Sequence, residues 1–108
     1  MEKQRVLTSY FIAHTPYGIK EYRTLSDCLQ HIIHRDHREG PAIVGYNSDD
    51  EIVLEFYFEN NKKHHESGPA VIRYGPDDNI HQEYWLYGNL FSKDEFKILM
   101  TKKLMSII

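Results

Sequence analysis

His31, His34 and His37 recur every third residue, and His64-His65 follow further along the chain. Imidazoles at helical spacing share one face and could hold a zinc or nickel ion. Gly40-Pro41 works against this, because it ends any helix near His34 to Asp36 and turns His37 off that face. Capping and surface roles are the expectation for the histidines, with no metal ligand assigned. Glu55 and Glu83 could serve as paired carboxylates for acid–base work, yet they occupy equivalent places in a duplicated segment. One active centre needs each of its groups once, so the expectation is two solvated glutamates beside Lys or Arg. No serine sits in an elbow motif and no glycine-rich loop cradles phosphate. Cys28 is the single cysteine, which excludes an intrachain disulfide and cysteine-built zinc sites. Its position among apolar helix residues predicts a core thiol, not a nucleophile. No catalytic residue and no cofactor is assigned; the chain reads as a non-enzyme.

Contact chemistry is better represented. Tyr57, Trp85 and Tyr87, with Arg73 on a neighbouring strand, carry the residue types enriched at binding hot spots. Lys62 and Lys63 sit in the basic run Asn60-Asn61-Lys62-Lys63-His64, a predicted exposed loop. These six residues form the expected partner-binding set.

The bulk composition fits this class. With 108 residues, of which 41% are hydrophobic, the chain can build one domain around one core. Its 13 basic and 16 acidic side chains give a formal charge of −3, so general attraction to nucleic acid or to an anionic membrane is not expected. The start of the chain, with a short apolar stretch broken by Thr8, Ser9 and His14, reads as neither signal peptide nor membrane span, and cytoplasmic residence is the expectation.

An internal duplication must position these groups. His37-Arg38-Glu39-Gly40-Pro41-Ala42 aligns with His65-Glu66-Ser67-Gly68-Pro69-Ala70 at an offset of 28 residues. Held without gaps, residues 37–60 and 65–88 are identical at nine of 24 positions, too many for chance to place in one register. His37, Gly40, Pro41 and His65, Gly68, Pro69 are the expected structural markers of the two copies. Each copy reads as a hairpin: Gly-Pro opens it, a short strand follows (Ala42 to Tyr46; Ala70 to Tyr74), then a polar turn, then a longer strand (Ile52 to Phe58; Ile80 to Tyr87). Asn60-Asn61 and Gly88-Asn89 are expected to close the copies with positive φ. Alternation places Ile52, Leu54, Phe56, Phe58 and Ile80, Gln82, Tyr84, Leu86 on a core face, with Val53, Glu55, Tyr57 and His81, Glu83, Trp85, Tyr87 on a partly wet one.

The flanks complete the order. Residues 1–24 read as an N-terminal hairpin, with strands from Val6 to Ala13 and Ile19 to Arg23, and as a degenerate copy of the same unit. Residues 25–35 have helical spacing, with Thr24 or Ser26 to cap. Ser92-Lys93-Asp94-Glu95 is a capping box opening a helix over 92–105, with Phe96, Leu99, Met100 and Leu104 as its stripe. The apolar tail Leu104 to Ile108 could pack back or join two copies of the chain in a homodimer. The fold class is α+β: an antiparallel sheet of repeated hairpins in the order ββα-ββ-ββ-α, with repeats at 37–61 and 65–89 and helices packed on one face.

The runs "HREGPA", "HHESGPA" and "EYWLYGN…SKDEF" resemble MORN-like repeats of the form H-R-x-x-G-P-A…E-W-Y-x-N-G, found in small proteins of bacteriophages, bacteria and large viruses. The resemblance covers residues 34–96. It departs from the pattern where Glu66 replaces Arg38 and where Gly88 has only Asn60 as counterpart. It implies an interaction module without catalytic machinery: a phage-type inhibitor or adaptor that sterically blocks a cytoplasmic protein of the host. Two other classes remain open: a dimeric binder of a nucleotide or cyclic nucleotide, with aromatic stacking and Lys62, Lys63 or Arg73 on phosphate, and a histidine-dependent metal hydrolase.

Overall fold

A computed structural model describes residues 8–76 and 79–107, with side chains through residue 103. The expected start of the first strand at Val6, the turn residues Asp77-Asp78 and the apolar side chains of the C-terminal tail lie outside the described residues. Nine strands and two helices follow in order: β1 (Tyr10–Thr15), β2 (Gly18–Tyr22), α1 (Leu25–Leu29), β3 (Ile43–Tyr46), β4 (Ile52–Phe56), β5 (Phe58–Glu59), β6 (Lys62–Lys63), β7 (Val71–Tyr74), β8 (Ile80–Leu86), β9 (Asn89–Phe91) and α2 (Lys93–Ile107), among the described residues. Seven strands form one sheet, β2-β1-β3-β4-β7-β8-β9, and β5-β6 is a separate two-stranded hairpin. Every pairing is antiparallel. The molecule is thus α+β, and the β5-β6 hairpin and strand β9 add to the expected order of elements.

The helix expected over 25–35 is one turn and a half. Thr24 Oγ1 accepts the Asp27 N–H at 3.0 Å, as an N-cap should. The helix stops at Leu29 because the next donors are claimed elsewhere. Ile33 N–H goes to the Asn61 side chain at 2.7 Å, His34 N–H to the His14 carbonyl and Arg35 N–H to the Phe58 carbonyl. Cys28 and Ile33 are fully buried while Leu29 and Ile32 stay exposed, so the segment anchors at two points instead of one stripe. The core comprises these two with Phe11, Ala13, Ala42, Ile43, Leu54, Phe56, Phe58 and Val71.

A β-bulge decides which residues face that core. The pairs Ile43–Phe56, Val44–Glu55 and Gly45–Leu54 run in step, and then Tyr46 pairs with Ile52, leaving Val53 extra. The second hairpin has the matching pair Tyr74–Ile80 and continues without interruption to Val71–Glu83. One additional residue on one strand moves every later side chain to the other face. The copies therefore correspond at 28 residues near the Tyr46 and Tyr74 turns, but at 27 afterwards: Phe56 matches Glu83 and Phe58 matches Trp85. Leu54, Phe56 and Phe58 are buried as expected. Beyond them the expected faces exchange. Val71 bridges Phe56 to Glu83, so Glu83 and Trp85 lie on the core side, while Glu55 pairs through Ile72 with Gln82 on the other. Ile52 and Ile80, expected inside, are exposed.

The helices also part company. Cys28 of α1 joins the core on the Phe56 side. Tyr84, one residue after Glu83, points the other way, and its ring meets Phe96 of α2 at 5.0 Å. The expectation of both helices on one face is corrected: α2 follows β9, whose Phe91 pairs with Tyr84, and so it reaches the opposite side.

Hydrogen bonds reveal a second shift. His34 N–H bonds the His14 carbonyl and Arg35 N–H the Phe58 carbonyl; His64 N–H bonds the Tyr57 carbonyl and His65 N–H the Trp85 carbonyl. The Ile33 carbonyl receives Asn61 N–H, and the Lys63 carbonyl receives Gly88 N–H. His34 thus answers to His64 and Arg35 to His65, with two more residues before Gly40 than before Gly68. His37 is not the counterpart of His65. Arg35 Nη1 donates to the Pro41 carbonyl at 3.1 Å, and His65 Nδ1 donates to the Pro69 carbonyl at 2.9 Å. The two Gly-Pro steps differ in backbone: Gly40 has φ +139, a conformation that favours glycine, and Gly68 does not. Ala42 and Ala70 nonetheless do one job, each fully buried and donating its N–H across the hairpin, to the Phe56 and Glu83 carbonyls.

Candidate functional site

The six expected contact residues fall into two groups. Lys63, Arg73 and Trp85 come together around Phe56. Lys63 Nζ stands 4.5 Å from the Trp85 ring and 5.7 Å from Phe56, and the Arg73 guanidinium lies 5.5 Å from Phe56. Cations over ring faces are attracted by the ring quadrupole. Trp85 is half-buried at the margin of the core. Its indole N–H donates to Glu83 Oε1 at 2.9 Å, and His81 Nε2 meets Glu83 Oε2 at 2.9 Å. The His81 bond, then the indole N–H and the nearby Lys63 and Arg73, hold the Glu83 carboxyl below its ordinary range. Beside Arg73 a cleft of about 500 Å³, lined by Phe11, Leu25, Leu54, Arg73, Ile80 and His81, continues the same face.

Tyr57, Tyr87 and Lys62 belong elsewhere. The strand break at Tyr57 turns its ring onto His65, stacked at 4.0 Å. Burial there, with Glu55 nearby, raises its phenol. Tyr87 and Gly88 are the two central residues of the β8-β9 turn, with φ of 49 and 82. Asn60 and Asn61 repeat that geometry in the β5-β6 turn, with φ of 52 and 62, the signature of two-residue hairpin turns. The second closing pair is therefore Tyr87-Gly88 and not Gly88-Asn89, again one residue early. Lys62 packs along Gly88.

The turn residues lead to a cluster that spacing did not reveal. Rings contact in series from Tyr57 to His65, His37, His64 and Tyr87, the middle contacts at 5.3 Å. His64 is 1% exposed. Its Nδ1 accepts the Tyr87 N–H at 3.0 Å. A neutral imidazole has one acceptor nitrogen, so Nε2 carries the ring proton. That nitrogen faces Glu59 Oε2 at 3.3 Å and Glu66 Oε2 at 3.2 Å. His37 Nδ1 meets the same Glu59 oxygen at 2.9 Å. The Lys103 ammonium, then the Tyr87 hydroxyl and His64, hold the Glu66 carboxyl down at about 2. His37, Glu59, His64, Glu66 and Tyr87 line a cavity of about 360 Å³ together with Arg38 and Lys62. No family model, curated protein or solved structure matches the chain.

Of the three evenly spaced histidines, only His37 reaches this cluster. His31 lies against the Tyr22 ring, and His34 Nδ1 accepts the Asn60 N–H at 2.9 Å. Glu59 and Glu66 are the members of this cluster that sequence reasoning did not single out. One signal was available: reading Asn60-Asn61 as a two-residue hairpin turn sets Glu59 directly opposite Lys62 and places His64 beyond the strand end. Ligand atoms of His37, Glu59 and His64 lie within 4.8 Å of one another. For nucleophilic catalysis the surroundings are poor. Cys28 is fully buried, and burial pushes its thiol up to about 11. Among the described residues, no helix is long and apolar enough to cross a membrane.

Proposed function

We propose that this chain is a non-enzymatic protein-binding module whose contact surface centres on Trp85, Lys63 and Arg73. The observation that carries the reading is the Trp85 environment: an indole half-buried at the core margin with the Lys63 ammonium over its ring, beside a Phe56 ring that carries Arg73, which in turn borders an apolar cleft. A rigid aromatic anchor beside a shaped apolar recess is the usual anatomy of an interface hot spot. The basic rim suits a partner that presents acidic side chains around an apolar group. In keeping with the MORN-like resemblance, binding would act by occupying a surface of a cytoplasmic protein, as a phage-type inhibitor or adaptor does. A phosphate-bearing ligand is less well served. Lys63 and Arg73 flank Glu83, and Lys62 and Arg38 stand with Glu59 and Glu66. The test is affinity capture from host lysate with the tagged full-length chain. Trp85→Ala is expected to lose the captured protein, and Glu55→Ala, on the opposite sheet face, to keep it. Capture that survives Trp85→Ala with the fold intact would remove this surface from consideration.

A further inference from the structure

We infer that His37, Glu59, His64 and Glu66 form a binding site for one divalent transition-metal ion of the zinc class. The donors come from three separate places: the loop before Gly40, strand β5 and the segment after β6. An ion held by them would pin the first repeated unit to the second. Two imidazoles and two carboxylates make a neutral complex with a divalent cation, and mixed nitrogen–oxygen sets suit zinc, cobalt and nickel. The donors are preorganised. The side chains of His64 and His37 are 2% and 9% exposed, those of Glu59 and Glu66 22% and 26%.

The spacing favours an ion over hydrogen bonding alone. Hydrogen bonds from nitrogen to a carboxylate settle near 2.7–2.9 Å. His64 Nε2 instead stands 3.3 and 3.2 Å from its two carboxylate oxygens. Four ligands about 2.0–2.1 Å from a tetrahedral ion lie about 3.3–3.4 Å apart. His64 Nε2 thus stands at tetrahedral-edge distance from both carboxylates, while His37 Nδ1 and Glu59 Oε2, now 2.9 Å apart, would open slightly on loading. His37 and His64 cross at 84°, with ring centres 5.3 Å apart, as two imidazoles converging on one centre do.

Loading has a structural consequence. In the metal-free chain the Tyr87 N–H occupies His64 Nδ1, and the ring proton is on Nε2. The ion takes the Nε2 lone pair, so the ring proton must move to Nδ1, and the Tyr87 N–H must turn towards solvent. The Tyr87 N–H thereby loses its part-buried acceptor. Binding at this site is therefore coupled to the β8-β9 turn, next to Trp85.

Cobalt(II) or zinc(II) titration of the full chain tests the assignment. One equivalent of cobalt is expected to give visible ligand-field bands of tetrahedral intensity, displaced by zinc. Glu59→Gln and His37→Ala, which leave the turn cap of His64 in place, are expected to weaken binding at least about a hundredfold, beyond the loss usual for outer-sphere partners. His31→Ala, outside the cluster, is expected to bind as the parent does. With zinc bound, the Tyr87 amide is expected to exchange faster while the Asn60 amide, capped by His34, is unchanged. No saturable binding, binding indifferent to Glu59→Gln and His37→Ala, or a saturated protein whose Tyr87 amide is unmoved would each overturn the site.

Discussion

His34 and His64 perform one task in two settings: each offers Nδ1 to the first N–H of a tight hairpin turn. The settings predict different costs of removal. His34 is exposed, so its turn amide can find water once the ring is gone. His64 is 1% exposed, and its loss orphans a turn donor beside two carboxylates deprived of their N–H. His64→Ala is expected to cost about 2–3 kcal/mol and His34→Ala under about 1 kcal/mol, measured by urea denaturation. Acid sensitivity belongs to the same scale. His65 and His14 titrate below the ordinary 6.5, chiefly because burial disfavours their charged forms. The unfolded chain takes up these protons first, so their contribution is complete above pH 6.5 and declines as pH falls below it. Glu66, held near 2 against an ordinary 4.5, adds stability above pH 4.5 that is lost as pH falls towards 2. Thermal melts across this range should show both limbs, and Glu66→Gln should shrink the lower one, to which Glu83 also contributes, without touching the upper. A lower limb unchanged in Glu66→Gln would mean that Glu66 does not carry it.

Strand β4 explains most of what could and could not be read in advance. The hairpin boundaries, the Gly-Pro starts, the Thr24 cap and the Ser92 capping box were all visible as local chemistry. Burial of Leu54, Phe56 and Phe58 followed from alternation. The bulge at Val53 was not visible, because the two copies align without a gap through it; the extra residue is absorbed in space, and the 27-residue offset carries through to the turn, where Tyr87 stands in for Asn60. Everything that depends on facing inherited that slip: the side on which Glu83 and Trp85 lie, the partition of the aromatic set, and the membership of the histidine cluster. Helix α1 failed for a different reason. Its spacing was helical, but the backbone donors of residues 33–35 had stronger partners on strands distant in sequence. Gly45 reports on the bulge. A Cβ there would meet Leu54 and Thr8 at 3.1 Å and Phe11 at 3.2 Å, tight enough that these neighbours would have to give way by a few tenths of an ångström. Gly45→Ala is expected to destabilise by about 1–3 kcal/mol through overpacking, read as a lowered urea midpoint. A neutral result would mean that the bulge gives way readily.

At the scale of the whole molecule the chain is a short array with different ends. His65 N–H reaches forward within the second unit to the Trp85 carbonyl. The residue in the same place after the second unit is Ser92, and its N–H is taken by Glu95 Oε1 at 2.8 Å while its hydroxyl accepts the Glu95 N–H. The capping box thus starts α2 where a further unit would otherwise dock, as terminal elements do in repeat proteins. Helix α2 rests on the sheet mainly through buried Phe96 against Tyr84, so Phe96→Ala is expected to speed amide exchange throughout α2 while leaving β3, β4 and β7 unchanged. Global loss of protection would show that α2 belongs to the cooperative core. The proposed contact surface centres on Trp85, half-buried at the core margin, and the chain's one tryptophan makes it directly observable. The most direct measurement is fluorine NMR of the chain carrying fluorotryptophan, titrated with the captured partner. The Trp85 resonance should shift and lose solvent exposure at one equivalent; a resonance unmoved at saturation would place the contact elsewhere.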